Sequence, residues 1–172
     1  MHTRRTLLIS GAATVVTALL PFRAMASQRR LAPLKPGARI RAVNPGTWMD
    51  PNTNLQPLLD RCAEQQWHLE VPEAVTRQWR YFSGTDRERL KDLRSAWNDP
   101  TVDAVVTLGG GWGAARVLEA GFRFPRRPKW SLGFSDTSSL LLAQWAAGLP
   151  GAIHGSSGGS DAQWQRTVDL LS

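Results

Sequence analysis

Cysteine is nearly missing from this sequence: Cys62 is its only one. That excludes a disulfide framework and a cysteine-based metal site. Cys62 recurs with Leu55, Leu58, Leu59 and Trp67 at helical spacing, so it reads as core filler rather than as a nucleophile. The three histidines, His2, His68 and His154, are not spaced as zinc ligands, and neither a metal nor a cofactor is expected. Beyond residue 26 no run is long and apolar enough to cross a bilayer. Concentrated charge is lacking too. The formal net charge is +7, but residues 27–172 carry only 18 basic against 14 acidic side chains. Outside Arg29-Arg30 and Arg126-Arg127-Pro128-Lys129 these charges are dispersed, which argues against nucleic acid as a partner. There is no G-x-G-x-x-G fingerprint and no Walker lysine.

Export is written into the first 26 residues. Thr3-Arg4-Arg5-Thr6-Leu7-Leu8 leads into an apolar stretch through Leu20, then Ala24-Met25-Ala26. A positive start, an apolar middle and a small-residue cleavage site make a secretory signal peptide, and the paired arginines resemble the twin-arginine type. An ordinary export signal and an uncleaved anchor are the alternatives. The expectation is a periplasmic or secreted bacterial protein with no membrane span after cleavage. Residues 27–37 form a basic, proline-containing lead-in, and 38–172 suffice for one domain with its own core.

Within that domain strand and helix patterns alternate. Strands are predicted at 39–43, 68–71, 104–108, 130–133 and 152–153. Helices are predicted around Leu55–Ala63, from the Thr85 cap to Asn98, and at 114–120, 137–147 and 161–171. Glu88, three residues after Thr85, completes a capping box. This order implies an α/β fold, a parallel sheet with helices on both faces, three-layered as in flavodoxin- or Rossmann-like proteins. Such sheets bind ligands beyond the carboxyl ends of their strands.

Three candidate segments follow predicted strands and should meet along that edge. Ser135 stands between a strand and a helix start, where free N–H groups face a developing oxyanion. Asp136 beside it is suited to capping the following helix, and by itself the pair is also readable as a capping turn. It is not a G-x-S-x-G elbow, because residue 137 is threonine. Gly109-Gly110-Gly111-Trp112-Gly113 lets backbone approach closely, as an oxyanion donor or as a phosphate cradle. His154 is either a general base to Ser135 or part of the pocket lining. The eight tryptophans fit either a core or a sugar-stacking surface.

Several segments together resemble the N-terminal half of the LD-carboxypeptidases, the muramoyl-tetrapeptide carboxypeptidases whose relatives include microcin-immunity serine peptidases. They are Leu34 to Ile40, Phe82 to Leu93, Gly110 to Leu118, Gly133-Phe134-Ser135-Asp136 and His154-Gly155, in the family's order. The resemblance implies hydrolysis of the bond between a dibasic residue and the terminal D-alanine of a peptidoglycan-derived tetrapeptide. It makes Ser135 the nucleophile, with Asp136 and either Gly110 or Gly111 as oxyanion donors. Trp112 and His154 become candidate substrate contacts. Three positions depart from the family: Gly109 replaces an arginine, Trp112 a tyrosine and Ser156 a proline. The family's triad glutamate and histidine belong to a second, C-terminal domain, which this stretch does not include. Turnover therefore needs a separately encoded C-terminal half, or His154 as base. The alternatives are a non-catalytic module that binds murein peptides and a truncated product.

Overall fold

The computed structural model describes residues 31–172, so the predicted export signal of residues 1–26 and positions 27–30 of the lead-in lie outside the described residues. Strand β1 (Arg39–Val43) leads through helix α1 (Gln56–Glu64) to β2 (His68–Glu70). The chain then returns through α2 (Asp86–Asn98) to β3 (Ala104–Thr107). From there it steps outward through α3 (Ala114–Glu119), β4 (Trp130–Gly133), α4 (Ser138–Ala146), β5 (Ala152–His154) and α5 (Asp161–Leu171). All pairings are parallel, in the order β2-β1-β3-β4-β5. The predicted three-layer α/β fold is the one observed.

A parallel sheet must be covered on both faces, and two apolar clusters do this. On one face Leu58 and Cys62 of α1 join Trp164, Val168 and Leu171 of α5 over Ile40, Ala42, Ala104, Val106 and Leu132. On the other, Leu90, Leu93 and Trp97 of α2, Val117 of α3 and Leu140 of α4 cover Val43 and Val105. Burial pushes the Cys62 thiol up to about 11, which keeps it protonated and inert in its cluster. Among the tryptophans, Trp67, Trp97 and Trp164 are core residues, while Trp79, Trp112 and Trp145 are exposed. No described helix is long and apolar enough to cross a membrane.

The element limits differ slightly from the sequence expectation. Strand β2 stops at Glu70, β5 runs on to include His154, and a 3-10 turn (Ser135–Thr137) precedes α4. A further 3-10 turn, Glu73–Thr76, had no sequence signal, because what secures it is tertiary: Asn44 Nδ2 donates to Val75 O at 3.0 Å.

Lys129, at the foot of β4, is buried and donates to Ala96 O (3.0 Å) and Asp99 O, carbonyls at the C-terminal end of α2. Burial, aided by nearby Arg127, lowers its ammonium pKa from 10.5 to about 8. Between those values the unfolded chain binds the extra proton and the folded chain does not. The contribution of Lys129 to stability should therefore rise with pH across that window, opposed above 9.0 by the raised Cys62 thiol, whose contribution falls there. Lys129→Met should flatten the rise, as urea midpoints at pH 7.5 and 9.5 would record.

Candidate active site

The strand order reverses between β1 and β3, and the loops leaving their carboxyl ends diverge there to open a crevice. Ser135 comes from the next strand, β4, and is exposed. Its φ is +57°, a left-handed conformation that costs a side-chain-bearing residue energy and must be imposed by its surroundings. Thr137 imposes it from beneath. Its fully buried Oγ1 accepts from Phe134 N and donates to Phe134 O, both at 2.8 Å. Thr107 Oγ1 stands 3.0 Å from the same oxygen. A Cβ on Gly133 would come within 2.6 Å of Thr137 Oγ1, so only glycine lets the strand end over this hydroxyl.

The glycine loop faces the serine. A Cβ on Gly110 would lie 3.2 Å from Ser135 Cβ and 3.5 Å from its Oγ. Gly111 is turned elsewhere: its φ is +82°, and its Cβ would fall 1.9 Å from Thr47 Oγ1, the oxygen that accepts from Trp112 N at 3.1 Å. Gly109 has φ +74°, a conformation that disfavours any side chain where the resembling family carries arginine. No backbone carbonyl accepts from the N–H of Gly110, Gly111 or Asp136 among the described residues. Bare N–H groups beside an exposed hydroxyl are equipment for stabilising a tetrahedral oxyanion.

Asp136 corrects the sequence expectation. Its carboxylate does not cap α4; Oδ2 instead accepts from Ala114 N at 2.8 Å, capping α3 across the crevice. The left-handed serine turns the chain so that the next side chain points toward the glycine loop. The serine turn and the glycine loop are thereby tied together.

The loop after β1 forms the third wall. Gly46 packs so closely that a Cβ there would sit 2.5 Å from Gly110 O, which accepts from Thr47 N at 3.2 Å. Gly46→Ala should therefore cost about 1–3 kcal/mol through backbone displacement, read as a lower urea midpoint. A midpoint equal to that of the unaltered chain would mean that these loops do not touch.

Arg89 is the residue that sequence reasoning passed over. Its guanidinium is fully buried, donating to Gly113 O at 2.8 Å, to Pro45 O and to Asp86, and it lies 4.7 Å from the Phe82 ring centre. One side chain thus joins the loops of β1 and β3. Asp86 also accepts from Arg116 Nη2 at 2.6 Å, and Arg116 holds its carboxyl below the usual range. A signal was there: Arg89 falls on the same face of α2 as Leu93 and Ala96, where a solvated arginine would not.

The remaining candidates lie around the rim. Trp112 is 57% exposed, its ring 5.4 Å from Phe82. His154 is exposed and packs 5.4 Å from the Phe134 ring, and no hydrogen bond joins it to Ser135 among the described residues. Next to the serine is a cleft of about 760 Å³, floored by Met49, Leu55, Pro57 and Leu58 and walled by Gly109–Gly111, Phe134 and Ser156–Gly158. No group of three or more His, Cys, Asp or Glu side chains suited to a metal occurs among the described residues.

Comparison with known proteins adds a second line. The model of the LD-carboxypeptidase N-terminal domain matches residues 40–155. A Synechocystis sp. protein provisionally named a carboxypeptidase is 33% identical over 125 residues, covering 72% of this chain and 41% of its own. Over 84 residues the chain is 42% identical to the murein tetrapeptide carboxypeptidase of Pseudomonas aeruginosa, covering 47% of this chain and 27% of that protein. An MccF-like protein from Bacillus anthracis superposes with a TM-score of 0.70 over 82% of this chain and 46% of that one, at 23% identity, a likeness of fold. The chain spans about two fifths of the length of the first of these curated relatives.

Proposed function

Because this chain belongs to the LD-carboxypeptidase family, whose N-terminal domain it matches over residues 40–155, we propose that it is the nucleophile-bearing part of a serine carboxypeptidase acting on murein tetrapeptides. The observation that carries this reading is Ser135 itself, exposed, left-handed and next to Gly110. Its Oγ attacks the carbonyl carbon of the bond to the terminal D-alanine, and its proton passes to a base. The N–H of Asp136 and the N–H of the Gly110 segment receive the oxyanion; the turning of Gly111 toward Thr47 favours Gly110 over Gly111. Collapse of the tetrahedral adduct breaks the C–N bond and releases D-alanine, its amine taking the proton. Water then hydrolyses the acyl-serine.

The base is the part this reading draws from elsewhere. By family resemblance it is a histidine oriented by a glutamate, both in a second domain, contributed here by a C-terminal half. Trp112 at the rim is a substrate contact in this reading, and His154 another. The twin-arginine signal fits an enzyme that meets peptidoglycan fragments in the periplasm or outside the cell. A second reading, a non-catalytic module that binds murein peptides, is favoured by one observation: His154 packs on Phe134 and is not hydrogen-bonded to Ser135.

One assay separates the two. The purified chain, alone and with the C-terminal half added, is incubated with a murein tetrapeptide, free D-alanine is followed, and peptide binding is measured in parallel. Release supports the peptidase, and binding without release supports the module. Neither release nor binding removes both.

A further inference from the structure

The cleft beside Ser135 has one charged side chain among its lining residues, Arg61 in the last turn of α1. The rest of the lining is apolar, glycine, hydroxyl or amide. A lone charge in a largely apolar pocket fixes what enters and which way round it lies. Arg61 is also held in place. Its side chain is 18% exposed, Nη1 donates to Ser157 O at 3.4 Å, and the guanidinium lies 5.9 Å from the Trp164 ring centre. Its acidic partner holds it weakly. Asp161 Oδ1 is 2.7 Å from Nη2, but the Asp161 side chain is fully exposed and its charge is screened by water. The guanidinium keeps its positive charge and its planar fork of donors, matched to a carboxylate.

We propose that Arg61 determines specificity in this cleft by receiving a carboxylate that flanks the bond attacked by Ser135, a role that rests on reading Ser135 as the nucleophile. Two carboxylates of a murein tetrapeptide qualify by position. One is the terminal carboxylate of D-alanine; the other is the side-chain carboxylate of the diaminopimelate residue before it. Arg61 touches the substrate away from the reacting atoms, so it governs affinity and selection rather than the chemical step.

Calorimetric titration of three peptides tests this, in a Ser135→Ala background that removes turnover. They are the parent tetrapeptide, its C-terminal carboxamide, and the version with lysine in place of diaminopimelate. Arg61→Gln should weaken the parent roughly 10- to 100-fold, the range of a charge-assisted pair. One altered peptide should bind as weakly with Arg61 present as with glutamine: the carboxamide if the terminal carboxylate is the partner, the lysine peptide if the side chain is. Asp161→Asn leaves the core untouched and frees the guanidinium, so it should tighten the parent by about 2- to 5-fold. The proposal is overturned if the parent does not bind, if Arg61→Gln changes its affinity less than twofold, or if both altered peptides stay as sensitive to Arg61→Gln as the parent. D-alanine release by the chain with Ser135 intact reports separately on the nucleophile. A chain that releases D-alanine but is indifferent to Arg61 loses only this inference. One that binds through Arg61 but releases nothing even with the C-terminal half added keeps the carboxylate contact and loses the peptidase reading.

Discussion

With the C-terminal half that supplies the base present, D-alanine release should fall by at least ~10,000-fold when Ser135 becomes alanine, while peptide affinity stays within about twofold. The hydroxyl is the only atom lost, and the cleft, the glycine loop and Arg61 remain. Glycine at the same position separates chemistry from stability. Ser135 has φ +57°, a conformation that penalises any residue with a Cβ by roughly 1–2 kcal/mol. Ser135→Gly should therefore be as inactive as alanine yet more stable than the unaltered chain by about 1 kcal/mol in urea unfolding. Alanine keeps the Cβ and should gain nothing. Release that survives in both variants would remove Ser135 from the mechanism.

The largest loss of stability is expected at Arg89. Its guanidinium is completely buried and supplies donors to Pro45 O, Gly113 O and Asp86. Arg89→Met fills most of the volume but leaves those acceptors without a donor, at about 1–3 kcal/mol for each buried group. The total should be about 3–5 kcal/mol, the range for breaking a buried ion pair, and a fall in melting temperature on the order of 10 °C. Asp86 keeps its bond to Arg116 Nη2 at 2.6 Å, which limits the damage on that side. Arg89→Lys retains the charge without the planar fork, so it should recover only part of the loss. Because Arg89 holds the loops of β1 and β3 together, release should suffer beyond what unfolding explains. A melting temperature within two degrees of the unaltered chain would contradict the clamp.

These cases also mark how far the amino-acid pattern reaches. The Thr85–Glu88 capping box is a local device, and its bonds form as expected, Glu88 Oε2 accepting from Thr85 N at 2.8 Å. The sheet and its helices were legible for the same reason: each apolar stripe meets its own strand. Asp136 was legible as a capping residue but not as the cap of α3, since a sequence shows that a carboxylate can accept an N–H and not which helix brings one. The Ser135 turn depends on Thr137 being fully buried beneath it, which only the packed sheet provides. Arg89 shows the reverse case, a charge on a buried helix face that spacing exposes once polar residues are counted on the apolar stripe as well.

The sheet is wholly parallel, and Ser135, Gly110 and the β1 loop share its carboxyl edge. The returns 99–103, 120–129 and 147–151 lie at the opposite edge, where a Cβ on Gly121 or Gly148 would meet nothing within 4 Å. Chemistry and connection are thus assigned to opposite poles. An affinity tag, a fluorescent insertion or a circular permutation introduced at 121 or 148 has room to reshape the molecule without disturbing Ser135.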